Sequence, residues 1–276
     1  MSAASHVMTI SNSKQRFANR VADYVRYRAG HPQAVLDLLR ATCSLQSDHE
    51  IADVGSGTGL LSELFLKNGN RVFTVEPNDA MRQAGEKYLR TYDRFTSVKG
   101  SAEATTLADA TVDFVTAAQA FHWFDQDAAR REFLRILRPG GWVVVLWNEL
   151  RTDATPFLRD YESFLQAFGT DYHAVTEKYP RLAQMDSFFA GAHYHQHALP
   201  HHQEFDFDGL GGRVRSSSYM PSEDHPKYPV MMAELQRIFS ARNQNGRVRL
   251  EYTTHIYFGQ LPAAGASRRA DRRDLS

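Results

Sequence analysis

Residues 49–59, His-Glu-Ile-Ala-Asp-Val-Gly-Ser-Gly-Thr-Gly, constrain this chain more than any other stretch. Ile51, Ala52 and Val54 form an apolar run suited to a strand covered on both faces. Gly55, Gly57 and Gly59 supply a positive-φ turn that brings backbone close to a ligand. Leu60, Leu61, Leu64 and Phe65 then recur at helical spacing up to an Asn68-Gly69 stop. Strand, glycine turn and helix in that order point free N–H groups and a helix N-terminus at the ligand, which favours a carboxylate or phosphate. The dinucleotide fingerprint wants its third glycine at position 60. Leu60 stands there instead, which argues against NAD and towards a nucleoside without a pyrophosphate.

A second acidic signal lies one strand further on. Arg71-Val72-Phe73-Thr74-Val75-Glu76 reads as a strand, with Glu76 at its carboxyl end before Pro77-Asn78. A carboxylate there can accept both hydroxyls of a ribose. An isolated Glu at a strand end is ordinarily just solvated; its distance from the glycine turn is what raises it above that reading. Asp53-Val54-Gly55-Ser56-Gly57-Thr58-Gly59 and Val75-Glu76-Pro77-Asn78 together resemble the S-adenosylmethionine-dependent methyltransferases of class I, with a Rossmann-like fold.

The resemblance implies a set of cofactor contacts. The turn, with Asp53, Gly55, Gly57 and Gly59, would hold the methionine part of S-adenosylmethionine. Glu76, followed by Pro77, would take the ribose, and Met81 would lie against the adenine. Ser101, Ala102 and Glu103 would sit at the adenine edge, although Gly-Ser-Ala-Glu is equally a loop leading to a helix with Ser as its cap. Gln119 completes the set at the end of a later strand. Tyr24, Tyr27 and Arg28 look like the family's N-terminal lid, with Tyr27 and Arg28 towards the cofactor and Tyr24 towards the substrate. Ala29 stands where family members often carry Pro; without the resemblance, Arg28 is a solvated helix end.

The remaining spacing defines an α/β chain. Phe17 to Arg28 has one apolar helical face, and a second helix begins at His31-Pro32 with Val35, Leu36, Leu38 and Leu39 inward. A helix over Ala80–Thr91, a strand over Phe95–Lys99 and a strand over Val112–Ala118 follow. Ala128–Leu137 is an amphipathic helix, Arg138-Pro139-Gly140-Gly141 ends it, and Trp142–Trp147 is a central strand. This alternation predicts a doubly wound, mostly parallel seven-stranded sheet with right-handed crossovers. Ligands sit outside the carboxyl ends of such strands. Phe121-His122-Trp123-Phe124 falls at one of these ends, too aromatic for a plain surface loop. It resembles a segment of a small-molecule subgroup that includes trans-aconitate-type methyltransferases. His122 and Trp123 are therefore the catalytic candidates, against the alternative of a structural histidine.

Beyond residue 150 the alternation breaks and the resemblance, which covers roughly 14–260, becomes thin. Pro156–Phe168 is a helix with one aromatic stripe, and residues 151–192 read as a helical cap beside the sheet. His193, His195 and His197 would share one face of an edge strand; without a carboxylate or cysteine partner they predict no metal. Arg213, Arg215, Ser217 and Tyr219 look like the family's Arg-Ser-Tyr segment and would reach the substrate, or else form a polar helix end. Lys227–Asn243 is a helix, and Val248–Phe258 alternates as an antiparallel strand closing the sheet. Residues 1–13 and 261–276 read as a disordered lead and tail, 14–150 as the cofactor-binding core with its lid, and 151–260 as cap and closing strands of the same domain.

Composition narrows the partners. Thirty-two basic and thirty-two acidic residues cancel, which offers no electrostatic case for nucleic acid or an anionic membrane. A single cysteine, Cys43, allows no internal disulfide and suits a reducing cytoplasm. The expectation is a cytoplasmic monomer or homodimer that methylates a small molecule, with O-methylation of a carboxylate or hydroxyl ahead of C- or N-methylation. A non-catalytic S-adenosylmethionine-binding protein is the rival from another class.

Overall fold

Strand β1 (Glu50–Val54) sends Ile51 into one apolar layer and Ala52 and Val54 into another, so both faces of its sheet must be covered. The computed structural model describes residues 21–170, 172 and 182–262 and builds the sheet accordingly. The proposed lead, the start of the lid helix at Phe17 and the tail from residue 263 lie outside the described residues. So do 173–181 of the cap.

Seven strands are ordered β3-β2-β1-β4-β5-β7-β6, with β2 Arg71–Val75, β3 Phe95–Val98, β4 Val112–Ala118, β5 Leu137–Leu150, β6 Tyr194–Phe205 and β7 Val248–Gly259. The pairs from β3 to β5 are parallel, and β7 runs antiparallel between β5 and β6. This is the doubly wound sheet with an antiparallel last strand that the spacing predicts. The order reverses between β1 and β4, which puts the switch point directly above the glycine turn.

Helices α1 (Val21–Tyr27), α2 (Ala34–Cys43), α3 (Leu60–Lys67), α4 (Asp79–Leu89) and α5 (Gln126–Ile136) surround the parallel half. Pro32 lies ahead of α2 rather than in its first turn, because Gln33 is the N-cap. Leu137 leaves its expected helix: its backbone is extended and it already pairs with Val112. Residues 138–141 then bulge out before Phe114 meets Trp142. One core layer, with Val54, Val75, Val115, Phe133 and Val145, covers the face under α5; the other, with Ile51, Phe65, Val72, Phe114 and Leu146, lies under α2 and α3.

The cap draws on more of the chain than 151–192. Helix α6 (Pro156–Phe168) packs with α8 (Phe207–Arg215) and α9 (Tyr228–Arg242) around a separate core of Leu158, Tyr161, Leu210, Leu235 and Leu250. Helix α7 (Leu182–Phe188) instead places Met185 and Phe188 in the main sheet core. On edge strand β6, His195 and His197 stack on Phe258 at 4.9 and 5.7 Å. Among the described residues, no three His, Cys, Asp or Glu side chains are grouped to hold a metal ion, and no helix is long and apolar enough to cross a membrane.

Candidate functional site

A cavity of about 530 Å³ opens above the switch point, within the size range of small-molecule sites. Its floor is the turn after β1. Gly57 has φ +57°, which L side chains rarely adopt, and it faces the Met81 methyl at the cavity wall. The turn differs from its predicted role in one respect. Gly55 and Ser56 both donate to the Val75 carbonyl, Gly59 donates to the Ser56 carbonyl, and Gly57 donates to Glu76 Oε2 at 2.9 Å. These amides are spent inside the protein, so they form no anion cradle, and the site fits a ligand without a pyrophosphate.

Glu76 is 8% exposed at the end of β2. Its Oε2 accepts from Gly57 and its Oε1 accepts from Asn78 N at 2.7 Å. Asn78 also caps α4, accepting from Ala80 N and Met81 N, which fixes Met81 against the cavity. Asp53 lies beneath, 1% exposed, accepting from Ser62 Oγ and from Thr116 Oγ1 at 3.1 Å. Burial pushes its carboxyl up to about 6, against the pull of these hydroxyls and with help from the charge of Glu76.

The loop after β3 forms another wall with Ser101, Ala102 and Glu103. No helix follows for Ser101 to cap; it pairs with Ala104 in an isolated bridge. Glu103 Oε1 accepts from Asp125 N at 3.0 Å, tying this loop to the start of α5. Gln119, after β4, holds φ +56°, which is uncommon for a residue with a side chain. Its Nε2 donates to the Asn148 carbonyl at 3.2 Å. Trp123 and Phe124 continue the wall.

Tyr24 is the lid's contribution. The Arg28 guanidinium lies over its ring, 5.0 Å from the centroid, and donates from Nη2 to the Ser216 carbonyl at 3.2 Å. Asn148 Nδ2 donates to the Gly30 carbonyl at 2.9 Å, which pins the chain just after the lid helix to β5.

Twelve of the predicted site residues thus reach the cavity: Tyr24, Asp53, Gly55, Gly57, Glu76, Pro77, Met81, Ser101, Ala102, Glu103, Gln119 and Trp123. The other eight do not line it. Gly59, φ +83°, is where α4 crosses closely: a Cβ there would lie 2.5 Å from the Leu89 side chain. The Tyr27 ring packs on Gly212 of the cap, and Arg28 stands behind Tyr24. The His122 ring is tilted against Trp123, centroids 4.8 Å apart, in a short 3-10 turn that does not reach the wall. Arg215 is held by Asp23 at 3.0 Å and Glu223 at 3.7 Å, so it fastens cap to lid. Tyr219 packs edge-on against Tyr172. Arg213 is 8% exposed in the cap, donating to Ser217 Oγ at 2.8 Å and to the Tyr252 hydroxyl at 3.4 Å.

Sequence reasoning missed several lining residues, among them His31, Thr58, Phe124 and Asp125. Thr58 Oγ1 is buried without a hydrogen-bond partner among the described residues, an orphaned polar atom on the wall that a ligand could satisfy. With the glycine floor, the acid at the end of β2 and Met81, it fits an adenosyl ligand. The residues that would hold S-adenosylmethionine come from the ends of β1, β2, β3 and β4.

The sequence profile of a family described as a methyltransferase domain matches residues 52–145, which include the turn, Glu76 and the Trp123 segment. Residues 52–145 thus carry a methyltransferase domain, and fold, site and match together support an S-adenosylmethionine-dependent methyltransferase of class I, with S-adenosylmethionine as its methyl donor. The chain is 25% identical over 253 residues to an uncharacterized methyltransferase-like protein of Schizosaccharomyces pombe, covering 90% of this chain and 96% of that protein. It is 33% identical over 132 residues to an uncharacterized methyltransferase of Mycobacterium tuberculosis, covering 48% of this chain and spanning 51% of that protein's length. A solved structure from Anaeromyxobacter dehalogenans, described as a proposed type II methyltransferase, shares the fold. The two superpose with a TM-score of 0.61 and 21% identity over 85% of this chain and 98% of that one.

Proposed function

We propose that the protein resembles the trans-aconitate-type subgroup and O-methylates a small acidic metabolite, on a carboxylate or a hydroxyl. One observation carries this reading. Arg28 of the lid, which lies over the ring of the cavity residue Tyr24, and Arg213 of the cap have no acidic partner among the described residues. Arg28 Nε is buried without a hydrogen-bond partner, and Arg213 bonds only hydroxyls. A buried guanidinium without a counter-ion is costly, and an acceptor carboxylate would relieve that cost through paired hydrogen bonds.

Bound S-adenosylmethionine supplies an already activated methyl group. The work left to the chain is to orient the acceptor and exclude water, which can contribute roughly 7–11 kcal/mol. In this reading Glu76 orients the ribose, Met81 and the 101–103 loop enclose the adenine, and Trp123 and Tyr24 form the walls beside the reacting centre. The cavity suits a small molecule, and burial pushes the Cys43 thiol up to about 12, so it stays protonated.

The test supplies labelled S-adenosylmethionine and a fractionated metabolite extract. Label should enter acidic metabolites. Arg213→Met and Arg28→Met should each raise KM about tenfold or more, since hydrogen bonds to charged groups contribute roughly 1.5–3 kcal/mol. Both should leave S-adenosylhomocysteine affinity unchanged. Label confined to products of neutral or amine acceptors, or an unchanged KM in both variants, would overturn the proposal.

A further inference from the structure

We propose that His31 is the proton acceptor of this site and that the acceptor atom is therefore a hydroxyl oxygen, in a molecule that also carries the acidic group. The inference rests on the reading of an acidic metabolite given above and sharpens it. His31 lines the cavity, and its Nδ1 is buried without a hydrogen-bond partner among the described residues. An imidazole nitrogen in that state leaves an acceptor or donor site unused, which a buried polar group rarely does without a ligand.

The backbone holds the ring in place. Asn148 reaches back to the Gly30 carbonyl at 2.9 Å, and its own Oδ1 accepts from Thr254 Oγ1 at 2.7 Å. Tyr27, four residues earlier, gives its carbonyl to Gln203 Nε2, and Pro32 stiffens the exit. His31 is thus fixed to β5, β6 and β7 rather than carried on a loose loop.

Its environment keeps it neutral. Burial, and after it the neighbouring His201 on β6, lower its pKa to about 4. The titratable groups that share its cavity are Tyr24 of the lid, Asp53 and Glu76 at the ends of β1 and β2, and Glu103 and Asp125 on the far wall. Arg28 stands behind Tyr24, and His202 follows His201 on β6. An unprotonated Nδ1 can receive a hydroxyl proton, and an anion entering beside it raises its affinity for that proton. The acceptor oxygen bonds to the methyl carbon as the carbon–sulfur bond breaks. The bonding pair stays on sulfur, and the hydroxyl proton passes to Nδ1. A bare carboxylate would need no such group, and His122 does not reach the wall.

Two measurements test this on the full chain. The first is 15N NMR of the histidine rings with S-adenosylhomocysteine bound, the His31 signal being assigned by its loss in His31→Gln. His31 should be neutral with Nδ1 unprotonated from pH 5.5 to 8, and His201→Gln should raise its titration midpoint. A His31 that is charged at pH 7, or protonated on Nδ1, overturns the inference. The second compares small hydroxy acids with the same acids lacking the hydroxyl as methyl acceptors. His31→Gln should lower kcat on the hydroxy acids about a hundredfold, in the range of general acid–base contributions, with KM within twofold. Transfer at full rate in His31→Gln, or wild-type transfer to the acids lacking a hydroxyl, removes the inference while leaving the acidic-metabolite reading in place. Transfer to no acid at all, with Nδ1 unprotonated, removes that broader reading instead.

Discussion

Glu76→Ala should weaken binding of S-adenosylhomocysteine by about tenfold to a hundredfold, because a hydrogen bond to a charged group contributes roughly 1.5–3 kcal/mol. The carboxylate is 8% exposed and its orientation is set from two sides, by Gly57 N on the β1 turn and Asn78 N at the start of α4. Those two amides aim it at the cavity and hold the turn against β2. Alanine therefore removes both the acceptor for a sugar and a tie between the two halves of the floor. Titration calorimetry on folded protein, with circular dichroism to verify the fold, separates the effects. Glu76→Gln keeps the shape and one acceptor oxygen but turns its nitrogen towards an amide donor, so it should fall between wild type and alanine. Unchanged affinity in Glu76→Ala would remove the ribose assignment.

Glu132→Ala should lower stability by about 2–4 kcal/mol at pH 7. Glu132, on α5, accepts from Thr105 N at 2.8 Å, from the Thr105 hydroxyl, and from Arg135 Nε and Nη2 at 2.9 and 2.7 Å. The Arg135 guanidinium and the Thr105 donors outweigh burial and hold its carboxyl at about 2. A carboxyl whose pKa is lowered on folding stabilises the protein above its unfolded value, near 4.5, and loses that contribution as pH falls towards 2. At 1.36 kcal/mol per pH unit the contribution is about 3 kcal/mol, and alanine also strands the buried Thr105 amide. The gap between wild type and variant in urea midpoint should close between pH 4.5 and 2. A constant gap across that range would contradict the electrostatic assignment. The loop that carries Ser101–Glu103 enters Thr105, so weaker cofactor binding should accompany the loss of stability.

Much of the parallel half was legible because buried central strands read as apolar runs bounded by glycine, proline or charge. β4 matches its predicted limits, β2 stops at Val75, one residue short of the expected Glu76, and α6 runs from Pro156 to Phe168 as its aromatic stripe indicates. Local chemistry singled out Glu76, and the family resemblance added Met81 and Gln119; all three line the cavity. What escaped depends on contacts between distant residues. Arg215 reads as a free cation until Asp23, 192 positions away, is seen beside it. A histidine before a proline reads as the start of a helix, and only the fold brings His31 to the cavity with His201 as its neighbour. The amides of the glycine turn look available in sequence, because their acceptors Val75 and Glu76 belong to the adjoining strand.

A crystal structure of the protein with S-adenosylhomocysteine tests the central claim most directly. The nucleoside should lie above Gly57, with both ribose hydroxyls on Glu76, the adenine between Met81 and Ala102, and the sulfur facing the space bounded by Tyr24, His31 and Trp123. A ligand bound elsewhere, or one lying in this cavity with its ribose turned away from Glu76, would contradict it.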